Sequence, residues 1–301
     1  MRILSLLPAA TEIVAALDAV DALVGVTHEC DFPERARALP RVTASAVDAA
    51  ASALEVDRAV RNRSAEGAPL FALDEARIGA LRPDVIVTQA LCEVCAVSET
   101  DVRAIAARLP AVPRVVTLGG STLDGVFEDV ARVAEALGAP ERGAALVERL
   151  RARMRAVHET LEAAAAPRPR VAVIEWTDPV FAAGHWVPEM VRRAGGVDVL
   201  ARPGEHSRTM PLADVAAADP EVVIIAPCGY DVARAAGEVT RLMADDAWRW
   251  LRGRTVWAVD ANALVSRPGP RLVDGIETFA AIFNPGLFQK PAEGRAVRVR
   301  D

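Results

Sequence analysis

The sequence predicts a two-lobed α/β protein whose parallel sheets are joined by a long helix. The chain has 301 residues, which is more than a single hydrophobic core usually contains. Apolar runs typical of buried strands alternate with helical patterns in both halves. The segment 81–89 can be aligned with 218–226, each being a helix end, a proline, an acid and a strand of the buried parallel type. Two copies of one architecture follow from this likeness.

The first half of the chain predicts a complete α/β unit. Residues 2–7 form an apolar strand, a helix follows to about Leu17, and a second strand covers 23–26. Asp74 caps a helix that ends at Leu81, and Pro83 precedes the strand 85–88. A helix over about 98–109 and a strand over 114–118 complete the unit.

The middle of the chain is helical and the second half returns to alternation. Apolar residues recur with helical spacing to Leu137, and a second helix over 140–166 spans roughly 40 Å before Pro167 stops it. We then expect strands at 171–176, 222–226 and 255–259, with helices near 188–194, 212–218 and 271–283. The charged tail beyond Pro291 is expected to be frayed.

These elements set the expected domain boundaries. The amino-terminal lobe covers 1–120, a helical connector 121–166, the carboxy-terminal lobe 167–288 and a tail 289–301.

Composition excludes several classes of function. Hydrophobic residues make up 52% and charged residues 25%, as in a fully folded chain, and the net charge is −6. There is no Lys/Arg stripe interleaved with aromatics, so no nucleic-acid partner is expected, and no apolar run long enough to span a bilayer. The first residues lack the pattern of a secretion signal, which predicts a cytoplasmic protein, or a periplasmic one if a leader was removed.

Cysteines follow three of the predicted strands. Ligands bind beyond the carboxyl ends of parallel strands, and Cys30, Cys92, Cys95 and Cys228 all occupy such positions. Cys92 and Cys95 have the spacing of a chelating pair. Four thiolates, with His28 beside Cys30, would suit zinc or an iron–sulfur cluster. The alternatives are small cysteines buried near strand ends, or Cys30 as a nucleophile activated by His28.

Three histidines lie in the predicted strand-end loops. His28 and His185 could ligate a metal centre or make hydrogen bonds beside a turn, and both interpretations stay open. His206 belongs to a loop that would line the same cleft, whereas His158 lies on the connecting helix and should face solvent.

Aromatic and basic residues add candidates for ligand contact. Trp176 and Trp186 could stack on a flat ligand, although core packing is the commoner role of such residues. Arg267 and Arg271 stand where the last helix begins, which favours a carboxylate or phosphate, although Arg267 could instead pair with an acid. No dinucleotide or Walker fingerprint is present in the sequence.

The opening residues 2–12 (RILSLLPAATE), with 73–75 and 81–87, resemble the helical-backbone periplasmic-binding-protein-like family. The resemblance is nearest to the cobalamin-binding proteins of ABC importers and their iron–siderophore relatives. It implies two Rossmann-like lobes of the class III substrate-binding type, bridged by a long helix. A corrinoid or other metal chelate would lie between the lobes, with Pro8 and Thr11 of the opening stretch among its contacts. An ABC permease would be the partner only if the protein is exported.

Two hypotheses of function follow. The first is a protein that binds a cobalamin-type corrinoid or other metal chelate, with Trp176, Trp186, His185 and Arg267 on the cleft wall. The second is a cytoplasmic metalloprotein or iron–sulfur enzyme with the four cysteines as ligands. The resemblance and the absence of a catalytic motif favour a binding protein, and an enzyme would depend on a metal or a cluster.

Overall fold

The computed structural model describes residues 1–91 and 97–299. The chain divides into two compact units. The amino-terminal unit comprises Met1–Gly120 with Asp124–Arg149, and the carboxy-terminal unit comprises Ser121–Leu123 with the chain from Leu150 onward. The boundary therefore lies within a helix, which covers Pro140–Ala163. This helix ends three residues earlier than the sequence pattern indicated.

The described part of the amino-terminal unit contains six strands and the helices between them. Its strands are β1 (Ile3–Ser5), β2 (Leu23–Gly25), β3 (Thr43–Ser45), β4 (Phe71–Leu73), β5 (Val85–Gln89) and β6 (Arg114–Leu118). The helices that begin in this part of the chain are α1 (Pro8–Ala16), α2 (Ala53–Ala65), α3 (Glu75–Leu81), α4 (Glu99–Arg108), α5 (Leu123–Ala136) and α6 (Pro140–Ala163). Short 3-10 turns at Val20–Ala22 and Glu34–Ala38 join some of them.

Four strands of this unit form a parallel sheet in the order β2-β1-β5-β6. The strand β5 is buried along its whole length, because helices cover both faces of a parallel sheet. Leu4, Ile86, Ile78 and Val102 join sheet and helices in one apolar cluster. The strands β3 and β4 pair separately as an antiparallel ribbon.

The carboxy-terminal unit contains a larger, mixed sheet. Its strands are β7 (Arg170–Thr177), β8 (Val180–Ala182), β9 (Val197–Asp198), β10 (Arg208–Thr209), β11 (Val222–Ile225), β12 (Thr255–Val259) and β13 (Ala296–Val299). Its helices are α7 (Val187–Arg193), α8 (Leu212–Ala217), α9 (Val232–Ala244), α10 (Ala261–Leu264) and α11 (Leu272–Phe283), with a 3-10 turn at Asp246–Leu251. The sheet order is β10-β8-β7-β11-β12-β13, and β9 also pairs with β7.

The parallel centre of this sheet, β7, β11 and β12, matches the predicted strands. The tail, however, was wrongly expected to be frayed. Residues 296–299 form β13, which pairs antiparallel with β12 and so covers that edge. Val299 packs against the core of the unit, whereas Val297 and Arg298 are both exposed, and the charge of the tail hides this edge strand in the sequence.

The predicted internal repeat extends to individual hydrogen bonds. Arg2 precedes β1 and donates its backbone N–H to the Asp84 carboxylate at 2.7 Å, while its guanidinium binds the Leu81 carbonyl. Arg170 opens β7 and donates its N–H to Glu221 at 2.8 Å, while its guanidinium binds the carbonyls of 218 and 219. In each unit an arginine thus joins the first strand to a helix end.

Sharp backbone turns precede each repeated proline. Arg82 and Asp219 have φ of 45° and 47°, the left-handed conformation that commonly ends a helix. The likeness of 81–89 to 218–226 therefore reflects one local structure formed twice.

Buried Asp129 secures the loop that precedes α5. Its carboxylate accepts the N–H groups of Gly119 at 3.0 Å and Gly120 at 2.8 Å, and it also pairs with Arg132. Gly120 lies so near the backbone of Gly125 that a Cβ would be 2.4 Å from its carbonyl carbon. The loop therefore requires both this glycine and this acid.

We expect Asp129→Ala to lower the free energy of unfolding by about 2–4 kcal/mol, because two backbone N–H groups and a guanidinium lose their acceptor. Urea denaturation measures the change. Glu128→Ala, on the exposed side of the same helix, is the matched control and should change stability by less than about 0.5 kcal/mol. Equal stability of the two variants would contradict the role of Asp129.

Candidate functional site

The amino-terminal unit has a pocket beside the carboxyl ends of β1 and β2. It is lined by apolar side chains of the β1–α1 junction, by the loop after β2 and by three residues from other segments: Leu6, Leu7, Pro8, Thr27, His28, Glu29, Thr43, Phe71 and Val97. The sequence-predicted Pro8 and His28 both line this pocket, in which apolar side chains outnumber polar ones.

Arg41 fixes the loop that carries His28. One nitrogen of its guanidinium donates to the carbonyls of Thr27 and Cys30, each at 2.7 Å. The Val26 N–H binds the Pro40 carbonyl, so the loop is held at its base as well. The imidazole is therefore presented by an ordered loop.

His28 is oriented through one ring nitrogen. Thr43 Oγ1 accepts the His28 backbone N–H at 3.0 Å and lies 2.7 Å from Nδ1. The Phe71 ring lies 5.7 Å from the imidazole, centroid to centroid. Thr43 and Phe71 reach His28 because β3 and β4 pair. A hydrogen bond at one nitrogen is the usual way in which a protein orients a histidine that ligates metal through the other.

Burial lowers the pKa of His28, and the positive charge of Arg41 lowers it further, while Glu29 acts in the opposite direction. The imidazole is therefore neutral at pH 7, which is the form that ligates metals.

Thr11 and Cys30 lie inside the unit, away from its surface. Ser5 donates to the Leu7 carbonyl, Thr11 donates to Ser5 Oγ at 2.8 Å, and Cys30 Sγ lies 3.1 Å from Thr11 Oγ1 and 3.2 Å from Thr27 Oγ1. Thr11 already donates its hydroxyl proton to Ser5. The Cys30 thiol therefore donates to Thr11 Oγ1 and accepts from the Thr27 hydroxyl. A metal bound at Cys30 would have to replace these buried hydrogen bonds.

The carboxy-terminal unit brings His185 and His206 together. His185 follows β8 and His206 precedes β10, and these strands pair antiparallel. His185 Nε2 lies 3.2 Å from His206 Nδ1, with the rings perpendicular and 5.0 Å apart. The sequence predicted both residues at one cleft wall but did not predict their contact.

Glu175, near the carboxyl end of β7, lies beneath these loops. Ser207 and the Gly184 N–H stabilise its charged form, but desolvation is the larger effect and raises the pKa of Glu175 to about 7. Gly184 is confined by the same contacts, because a Cβ there would lie 2.4 Å from Ser207 N.

The two predicted tryptophans are part of the packed structure. Trp186 is 5% exposed and donates its indole N–H to the Val265 carbonyl at 2.8 Å. Trp176 packs against the core of the unit and meets Tyr230 edge to face at 5.8 Å. Core packing, the alternative weighed for these residues, describes Trp186; their part in ligand binding stays a prediction.

The predicted arginines lie near an acid. Arg267 is 9% exposed, and the charges of Arg271 and Arg267 both favour the ionised form of Asp260. Burial nevertheless raises the pKa of Asp260, which caps α10 through the Ala263 N–H. This arrangement fits the alternative predicted for Arg267, an interaction with an acid.

The described residues give no support to a four-cysteine centre. Cys92 and Cys95 lie outside them, Cys30 is in the amino-terminal unit, and Cys228 is an exposed residue after β11 in the other unit. Within 1–91 and 97–299, no group of three or more His, Cys, Asp or Glu side chains is arranged to hold a metal ion. The zinc and iron–sulfur expectations therefore stay unsupported.

Sequence reasoning missed the residues that support the histidines. Arg41, Thr43, Phe71, Glu175 and Ser207 act through contacts between distant segments. No local motif marks any of them. Only Glu175 had a usable signal, as an acid at the end of a strand predicted to be buried.

The fold is that of an α/β protein built from two compact units. The periplasmic binding protein family model matches residues 3–252, and the chain belongs to that family. Its general function is therefore ligand binding of the ABC-transporter type. A search of curated proteins gave no match. No helix among the described residues has the length and apolar character needed to cross a bilayer.

Solved structures with the same fold include heme-binding and vitamin B12-binding proteins, together with other periplasmic binding proteins. A periplasmic heme-binding protein from Pseudomonas aeruginosa is 23% identical, with a TM-score of 0.73, covering 100% of this chain and 99% of that one. The heme-binding protein BhuT, solved with two hemes, is 24% identical with a TM-score of 0.67 (95% and 98% covered). The vitamin B12-binding protein BtuF of Vibrio cholerae is 21% identical with a TM-score of 0.65 (94% and 96% covered).

These findings confirm the resemblance and the fold class drawn from the sequence. They favour the periplasmic alternative for location and give no support to the cytoplasmic expectation.

Glu175 makes stability depend on pH. Its pKa is about 7 in the folded protein and near the ordinary 4.5 when unfolded, so the folded state binds more protons between these values. We expect the free energy of unfolding to fall by up to about 3 kcal/mol as pH rises from 4.5 to 7 through this group, and to level off above. Glu175→Gln should remove that part of the slope, measured by urea denaturation from pH 5 to 8. A Glu175→Gln variant with the wild-type slope would contradict the assignment. The slope of Asp198→Asn is the comparison, because Asp198 is another acid whose pKa is raised, to about 6.

Proposed function

We propose that the protein captures a metal tetrapyrrole, either a cobalamin-type corrinoid or heme, outside the cytoplasm and delivers it to an ABC permease. The observation that carries the proposal is the His28 imidazole in an otherwise largely apolar pocket. A flat macrocycle with a central metal needs apolar surface for its faces and edge and a basic ligand for its metal. Family membership and the ligands named for the similar structures support the same class.

His28 has the state that such a metal requires. Its lowered pKa keeps it neutral near pH 7, and Thr43 Oγ1 is 2.7 Å from Nδ1, which leaves coordination to Nε2. Imidazole ligates iron and cobalt readily. Phe71, Leu6 and Val97 would contact the macrocycle.

A role in transport would explain the apolar pocket, because binding a cargo for transport requires no catalytic group. The protein need only bind and release its cargo, so a neutral histidine and a largely apolar lining suffice. The permease and the location outside the cytoplasm follow from the family and belong to the same proposal.

Titration of the purified protein with hemin and with aquocobalamin, followed by visible absorption, tests the proposal. We expect saturable one-site binding of at least one of them at micromolar concentration or below, with a shifted main absorption band. Binding of neither at high micromolar concentration would contradict the proposed function.

His28→Ala separates the ligand class from the residue. We expect it to weaken binding by at least about tenfold, equivalent to ~1.4 kcal/mol, and to alter the spectrum of the bound metal. His158→Ala, an exposed histidine on α6, should bind like the wild type. Wild-type affinity and spectrum in His28→Ala would overturn metal ligation by His28.

A further inference from the structure

The contact between His185 and His206 is not used by the proposed tetrapyrrole site, which rests on His28. The ring nitrogens Nε2 of His185 and Nδ1 of His206 lie 3.2 Å apart in the carboxy-terminal unit. His185 is half-buried and His206 is exposed, so an ion from solvent can reach the pair.

The backbone around the pair is held firmly. His185 N–H donates to the Glu205 carbonyl at 2.6 Å, and the Gly204 N–H donates to the His185 carbonyl at 2.8 Å. Gly184 N–H donates to Ser207 Oγ at 3.0 Å, next to both histidines. These bonds tie the loop after β8 to the loop before β10 and fix the spacing of the two Cα atoms.

His185 adopts an uncommon backbone conformation. Its φ is 54°, a left-handed value that a residue with a side chain seldom takes. The surrounding hydrogen bonds keep the backbone there, and the result is that the His185 ring meets the His206 ring. Strain of this kind persists where neighbouring contacts impose it and is commonest at functional sites.

The separation of the nitrogens matches that of two ligands on one metal ion. At a zinc–nitrogen distance of about 2.05 Å, two ligands at tetrahedral angles are about 3.3 Å apart. In the structure the nitrogens are 3.2 Å apart, so ring rotation, with the tautomers that leave both of these nitrogens unprotonated, would direct both lone pairs at one ion. Imidazole nitrogens suit zinc and its neighbours in the first transition row better than magnesium or calcium.

We propose that His185 Nε2 and His206 Nδ1 form a two-imidazole site for Zn²⁺ or a similar divalent transition-metal ion, with water completing the coordination. No third His, Cys, Asp or Glu joins them among residues 1–91 and 97–299, so the ion is exchangeable rather than structural.

Isothermal titration with ZnCl₂ at pH 7.5 tests the site. The 301-residue background variant carries Cys92→Ser, Cys95→Ser and Cys228→Ser, so that these thiols do not compete for zinc. We expect one equivalent to bind, and we expect His206→Gln and His185→Gln each to weaken binding at least about tenfold. His158→Gln on exposed α6 is the matched control and should leave affinity unchanged.

The outcomes are distinct. No binding in the background, or equal zinc affinity in the background and in both pair variants, overturns the proposal and leaves a simple hydrogen bond between the rings. Thermal unfolding provides a second readout: zinc should raise the Tm of the background but not of His206→Gln. Because His206 is exposed, its replacement should not impair folding, so misfolding would not explain a lost Tm shift. Zinc titration of His28→Ala in the same background separates the proposals: unchanged zinc binding supports an ion site independent of the tetrapyrrole, and lost zinc binding overturns it.

Discussion

Parallel strand pairing at the centre of both sheets is the constraint on which the rest depends. It directs the carboxyl ends of neighbouring strands to one edge, where the following loops must gather. Those loops carry His28 after β2 in one unit and Cys228 after β11 in the other, with Glu175 near the end of β7. At the opposite edges, Arg2 and Arg170 close the same turn twice. The candidate site residues thus lie at the carboxyl ends of the strands, and the repeated arginine contacts lie at the opposite ends.

The strand-end loops are held by hydrogen bonds within the protein. Arg41 binds two carbonyls of the loop that presents His28, and Ser207 binds the Gly184 N–H beside His185. Such loops have their shape before any ligand arrives, which reduces the ordering entropy lost on binding. Burial has a second effect, since it keeps both imidazoles neutral near pH 7. A pocket of this kind is suited to coordinating a metal and to holding apolar surface, without a nucleophile or an acid–base pair.

Local sequence patterns predicted the parallel strands well, because β5 and β11 are buried on both faces and therefore read as continuous apolar runs. The same patterns did not reveal α2, because its residues are nearly all exposed or partly exposed and form no apolar stripe. They also did not reveal β13, because its arginine resembles a solvated tail. For the site, His28 and Pro8 could be placed because they follow strands. Thr43 and Phe71 could not, since they reach His28 through pairing between segments about thirty residues apart. The cysteine pattern suggested a centre that the described residues do not support, because strand-end position alone does not tell a buried thiol such as Cys30 from a ligand.

The central claim is that cargo binds at the carboxyl edge of the amino-terminal sheet. Hydrogen exchange followed by mass spectrometry, with and without the tetrapyrrole that binds more tightly, measures it most directly. The account predicts slower exchange in peptides covering 26–31 and 6–11, with no change in 82–84, at the opposite edge of the same sheet. Protection confined to 82–84, or absent from 26–31 at saturating ligand, would contradict it.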